Sequence, residues 1–133
     1  MNKSTLREQL FKLLFRIEFV EKGDMPEQEE LFFLLEDSPV IDETSAELIR
    51  TKADKIIEKL PEIDAGINEK ITGWNTERIG KVELTILRIA VYEIENDDDV
   101  PTAVAINEAV ELAKKFGPDG ASGFVNGVLA KFT

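Results

Sequence analysis

Apolar residues recur at three- and four-residue spacings along most of the chain, the period of a helix that buries one face. Leu6, Leu10, Leu13, Leu14, Ile17 and Val20 form the first such stripe, with Ser4 or Thr5 able to cap its start and Gly23 marking its end, so a helix is predicted over about 5–22. Leu31, Phe32, Leu34 and Leu35 predict a short helix near 27–36, broken at Ser38-Pro39 because proline disfavours a helical residue before itself. Asp42 or Thr44 can cap a third helix reaching about Leu60, with Ala46, Ile49, Ala53, Ile56, Ile57 and Leu60 turned inward. Pro61 suits the start of a fourth, through Ile63, Ile67 and Ile71.

After Thr72-Gly73 and Trp74 comes the most apolar segment, 79–95, where Val82, Leu84, Ile86, Leu87, Ile89, Ala90, Val91 and Ile94 cover most of a helical circumference. Only a surrounded helix can hide that surface, so Ile86, Leu87 and Ala90 are expected to be almost wholly buried. Asn96 to Asp99 read as a polar loop, Pro101 opens a sixth helix to Phe116, and Gly117-Pro118 stops it with a glycine just past its end. A seventh runs from about Ala121 to Phe132. No useful strand pattern and no repeat appears. The expectation is an all-α fold of about seven helices packed as two small bundles, with residues 1–133 as one domain.

At 133 residues and 43% hydrophobic content the chain can bury a substantial core. Neither a leader pattern nor a membrane-length apolar run is present, so a cytoplasmic address is expected and no membrane partner. The absence of cysteine and histidine removes disulfides, the commonest metal ligand and the commonest general base. The formal charge of -11 argues against a nucleic-acid partner until its distribution is read. From Glu18 to Glu47 there are eleven acids and one base, Lys22, whereas residues 1–17 hold Lys3, Arg7, Lys12 and Arg16 against Glu8 alone. An acidic, solubilising hairpin accounts for the first segment equally well.

Arg7, Phe11 and Phe15 are spaced by four and share a helical face, flanked by Lys12 and Arg16. Cations for phosphates and rings for unpaired bases suit single-stranded RNA, although the same spacing describes core phenylalanines ringed by solvated charges. Lys81, Thr85, Arg88, Tyr92 and Glu95 form a polar stripe on the central apolar helix. There Arg88 must either find a carboxylate, such as Glu93 or Glu108, or emerge at a surface. Glu111 stands four residues before Lys115, a helix-supporting pair, and Glu108 with Glu111 reads as a solvated face rather than a metal or acid–base site. Phosphate-loop, dinucleotide, zinc and nucleophile-elbow motifs are absent, so neither an enzyme, a metal nor a cofactor is expected.

Three stretches, taken in order, resemble the NusB family: Trp74-Asn75-Thr76-Glu77-Arg78-Ile79 leading into Ile86 to Glu93, Val100-Pro101 with Ala105 to Lys114, and Phe124-Val125-Asn126-Gly127-Val128-Leu129. Arg7-Glu8 through Leu14-Phe15 looks like the family's opening pattern, and residues 23–60 match only in helical layout. The resemblance implies a seven-helix transcription antitermination factor. Such a factor binds boxA RNA jointly with NusE, a ribosomal small-subunit protein, and helps the RNA polymerase elongation complex and the other Nus factors read through terminators in ribosomal RNA operons. Carried over by position, it implies RNA contacts at Lys3, Arg7, Lys12, Phe15, Arg88 and Phe124, with Glu83 on the protein-partner side. The family often opens with an arginine cluster, where this chain has only Lys3 before Arg7. The loop before Phe124, Pro118-Asp119-Gly120-Ala121-Ser122-Gly123, also has glycine where an acidic residue is often found. Weak RNA binding alone and a strong dependence on the partner are therefore expected. A rival reading is a helical helper in ribosomal RNA processing or ribosome assembly, since a similar module precedes the catalytic domain of a ribosomal RNA cytosine methyltransferase.

Overall fold

The computed structural model describes residues 1–35, 41–71, 73 and 75–133, without the side chains of Lys22 and Leu35. The expected break at Ser38-Pro39 and the positions of Thr72 and Trp74 lie outside the described residues. Within them the chain forms seven helices: α1 (Lys3–Phe15), α2 (Met25–Leu35), α3 (Glu43–Glu58), α4 (Leu60–Lys70), α5 (Lys81–Asn96), α6 (Thr102–Phe116) and α7 (Ala121–Ala130). Two 3-10 turns, Arg16–Glu18 and Lys22–Asp24, separate α1 from α2, and the described residues contain no strand. The chain divides into two compact units, Met1–Lys55 and Ile56–Thr133.

In the first unit, α1 begins two residues earlier than expected, because Asn2 rather than Ser4 or Thr5 caps it: Asn2 Oδ1 accepts the Thr5 N–H at 2.8 Å. It also ends at Phe15 instead of continuing to residue 22. The chain tightens there into a 3-10 turn closed by the Phe19 N–H on the Arg16 carbonyl at 3.0 Å, one of the ways a helix end satisfies its last carbonyls. Leu10, Phe11, Leu13 and Leu14 enter the core from α1, and Met25 and Phe32 from α2. Asp42 caps α3, its carboxylate accepting the Ser45 N–H at 2.8 Å and hydroxyl at 3.1 Å. Those bonds, led by the backbone one, hold the Asp42 carboxyl below its usual pKa. Of the residues expected inward on α3, Ile49, Ala53, Ile56 and Ile57 are buried, while Ala46 and Leu60 are half-buried.

In the second unit α5 is the enclosed element, packed against α4, α6 and α7. Ile86 and Leu87 are 0% exposed and Ala90 1%, as the all-round apolar pattern requires. Its polar stripe is only partly polar in place. Thr85 is buried with its hydroxyl donated to the Lys81 carbonyl at 2.8 Å, and Tyr92 is buried, whereas Lys81 and Glu95 are exposed. Burial raises the Tyr92 phenol's pKa, with the negative charges of Asp97 and Glu58 adding to the effect.

Gly117 ends α6, though not through a left-handed turn: its φ is -89° and ψ 164°. The glycine is demanded by closeness instead, since a Cβ there would meet Ala121 Cβ at 2.6 Å and the Ala113 carbonyl oxygen at 2.7 Å. The left-handed residue is Gly120, at φ 85°, which turns the chain into α7. On α6, Glu111 pairs with Lys114 at 3.5 Å, one residue short of the expected Lys115, whose ammonium lies over the Phe116 ring at 5.5 Å.

Candidate nucleic-acid interface

The basic and aromatic residues of the first unit are sorted by the local helix geometry. Lys3 lies exposed in the first turn of α1. Lys12, two turns further, is half-buried, with its ammonium 3.9 Å from the Glu8 carboxylate. Arg7 is 7% exposed and its neighbour in register Phe11 5%, so both lie on the buried face of α1. The register 7, 11, 15 therefore starts in the core and only emerges towards the end of the helix. The physical reason is helical spacing: Arg7 stands three, four and seven residues before the buried Leu10, Phe11 and Leu14 and so shares their inward face.

Arg16 also turns inward, towards α2. Its Nη1 donates to Gln28 Oε1 at 3.1 Å and its guanidinium carbon lies 5.3 Å from the centre of the Phe32 ring, so this cation ties the turn after α1 to α2. Phe15 is half-buried between two other rings. It stacks on Phe11 at 6.0 Å and 30°, and meets Phe19 edge-to-face at 5.1 Å and 67°.

In the second unit Arg88 is half-buried and makes a two-point pair across helices. Nε donates to Asp64 Oδ1 at 2.9 Å and Nη2 to Oδ2 at 2.8 Å. This carboxylate, Asp64 of α4, stands 24 residues before Arg88 in the chain. Phe124 stands half-buried in the first turn of α7. Glu83, in the first turn of α5, is half-buried and folds its carboxylate back over Gly80, where a Cβ would come within 2.9 Å of Oε2. A negative charge there favours the helix start. The loop ahead of α5 is fixed by amide side chains: Asn75 Oδ1 accepts the Glu77 and Arg78 N–H groups at 2.9 and 3.2 Å, and Asn68 Oδ1 accepts that of Thr76 at 2.8 Å.

Lys12 and Phe15 are brought together on α1. Lys3 stands at the other end of that helix, while in the second unit Glu83 and Arg88 lie on α5 and Phe124 on α7. Sequence reasoning missed two participants. Phe19 continues the register 7, 11, 15 by another four residues, so its signal was present; Asp64 is 24 residues from Arg88 and carried none.

Among the described residues no group of three or more acidic side chains could hold a metal ion, and no helix is long and apolar enough to cross a membrane. The chemistry-bearing side chains are cations, rings and amides at helix surfaces, which defines a small helical binding protein. The NusB family model matches residues 4–133. A transcription antitermination protein NusB from Agathobacter rectalis is 53% identical over 132 residues, 99% of each chain. Among solved structures, the NusB of T. maritima is 32% identical with a TM-score of 0.86, covering 99% of this chain and 90% of that one. A crystal structure of antitermination factors NusB and NusE in complex with dsRNA shares the fold, at 24% identity and a TM-score of 0.82, with 98% of this chain and 94% of that chain covered. The chain belongs to the NusB family. It is a transcription antitermination factor, not an enzyme.

Proposed function

We propose that this factor binds boxA-type RNA together with NusE, in the cytoplasm, and that the complex joins the RNA polymerase elongation complex and the other Nus factors to promote read-through in ribosomal RNA operons. The observation that carries this reading is family membership along essentially the whole chain, with a relative of nearly the same length and a solved NusB of the same fold. The solved NusB and NusE complex with dsRNA supports it through the fold it shares.

The charge distribution supports a joint rather than a solitary contact with RNA. A net charge of -11 repels a phosphate backbone at long range, and only a few cations are placed to oppose it. A second protein that adds cations to the same RNA lowers that barrier, so affinity should rise sharply when both are present. On the first unit the proposed RNA contacts are Lys3, Lys12 and Phe15, with Arg7 acting from beneath them; on the second they are Arg88 and Phe124. Glu83 is proposed for the protein partner.

The test is a gel-shift series with a boxA RNA and a scrambled RNA, each with and without NusE. Tight binding only for boxA, strengthened by NusE, is the expected result. Equal shifts for both RNAs, or no effect of NusE, would overturn the reading.

A further inference from the structure

Phe19 is 63% exposed, the most open aromatic ring among the described residues' large exposed apolar side chains. A single exposed apolar residue means little by itself. What sets Phe19 apart is its attachment. It is the outer member of a ring series that runs from the core to the surface: Phe11 is 5% exposed, Phe15 half-buried and Phe19 open, with centre-to-centre steps of 6.0 and 5.1 Å. The backbone beneath it is fixed by the 3-10 turn, through the Phe19 N–H on the Arg16 carbonyl. A ring anchored through another ring to the core loses little freedom when something stacks on it, and this is the property a base platform needs.

We infer that Phe19 is a stacking site for one unpaired nucleobase, extending the RNA contact proposed for Lys12 and Phe15 by a further turn; the inference rests on that RNA-binding reading. Lys12, Phe15 and Phe19 follow one another at three and four residues, so the cation and the two outer rings share a stripe. Beside Phe19 in the chain stand Glu18, half-buried, and Glu21, exposed, while the Arg16 guanidinium is engaged with Gln28 and Phe32. The two acids disfavour a phosphate or carboxylate against the ring and leave Lys12 as the phosphate contact. The neutral face of a base meets no such penalty. A protein partner fits less well, because one ring offers far less than the roughly 800 Å² per side that stable protein contacts bury, yet it matches the size of a single base.

The experiment uses the full chain with NusE and a boxA RNA carrying 2-aminopurine at successive positions, whose fluorescence is quenched on stacking. The wild type should quench one position that Phe19→Ala releases. Phe19→Ala should also weaken binding on the order of 5- to 150-fold with an unchanged salt slope, while Phe19→Trp retains both signals. Melting of the variants should match the wild type, as befits an exposed side chain. If Lys12→Ala weakens RNA binding while Phe19→Ala binds and quenches like the wild type, the RNA reading stands and the stacking site is overturned. If Phe19→Ala instead weakens NusE capture in the absence of RNA, the ring is a protein contact and the inference fails. If the wild type binds neither RNA with or without NusE, the RNA reading itself falls and takes Phe19 with it.

Discussion

Arg88 of α5 and Asp64 of α4 are joined by two parallel hydrogen bonds, 2.9 Å from Nε and 2.8 Å from Nη2, with the two side chains only 12% and 25% exposed. The planar fork of the guanidinium matches the carboxylate, and partial burial spares the pair much of the screening that weakens surface ion pairs. Asp64→Ala is therefore expected to lower stability by about 1.5–3 kcal/mol. Arg88→Lys, which keeps the charge but not the fork, should lose part of that. Urea unfolding of Asp64→Ala, Arg88→Ala and their combination gives the coupling energy directly. A value near zero would show that the pair is not a stabilising contact between these helices.

A second acid–base relationship governs the first unit. Glu29 on α2 is 5% exposed, is hydrogen-bonded to Asp54 on α3, and has Arg50 Nε at 3.9 Å. Arg50 is itself divided between Glu29, Glu47 at 3.3 Å and the Phe33 ring at 4.9 Å, so it cannot fully compensate. Burial, then the bond to Asp54 and its charge, push Glu29 from 4.5 up to about 8. A hydrogen bond between two carboxyls needs a proton, and the folded state holds it to higher pH than the unfolded state does.

Stability from this proton is thus fully present below about pH 4.5 and is lost as the pH rises towards about 8. Thermal melting between pH 6 and 9 should show the wild type weakening, while Glu29→Gln, which cannot ionise, should show a flatter profile and gain relative to the wild type at pH 9. Parallel profiles would place the Glu29 titration outside this window.

Helix identity was legible because apolar spacing is a local property. All seven helices fall where the stripes put them, and the near-zero exposure of Ile86 and Leu87 follows from an apolar surface that runs round the helix. Ends were less legible, since they depend on three-residue geometry: Asn2, outside the stripe, caps α1, and the 3-10 turn at Arg16 stops it. Side-chain roles were the least legible. Lys3 and Lys12 occupy the exposed and half-buried positions a phosphate contact needs, but the fate of a cation in the middle of an amphipathic helix turns on what another helix brings to it. Arg16 turns to Gln28 and Phe32 of α2, and Arg88 to Asp64 of α4, and neither partner can be read from spacing within one helix.

The glycines after and within the last helices make opposite predictions for one substitution. At Gly117 an added Cβ would sit 2.7 Å from the Ala113 carbonyl oxygen, a backbone atom that cannot yield without moving α6, so Gly117→Ala is expected to cost about 1–3 kcal/mol. At Gly127, inside α7, an added Cβ meets nothing within 4 Å, so alanine there should stabilise the protein by about 0.5–1 kcal/mol through helix propensity. Melting both variants beside the wild type settles the contrast. Equal effects would mean that crowding at Gly117 is relieved at no cost.

The first helix separates contact with RNA from maintenance of the fold. Lys3 is exposed and, among the described residues, Lys12 is tied only to Glu8 at 3.9 Å along the same helix, a pairing worth a few tenths of a kcal/mol. Alanine at either position should leave melting nearly unchanged while removing about one phosphate contact, flattening the slope of log K against log salt by roughly 0.7 for single-stranded RNA. Arg7 is 7% exposed and not without a partner, so Arg7→Ala should cost about 1–3 kcal/mol of stability by removing a buried side chain together with its interaction. Phe15→Ala removes two ring contacts and should cost stability as well, about 0.5–1.5 kcal/mol for each pairing beyond its buried area, together with RNA affinity at an unchanged slope. Binding titrations with NusE across a salt series, run beside melting curves, distinguish the four variants. If Lys3→Ala and Lys12→Ala leave both affinity and slope intact, α1 carries no phosphate contact and the RNA must be held by the second unit or by the partner.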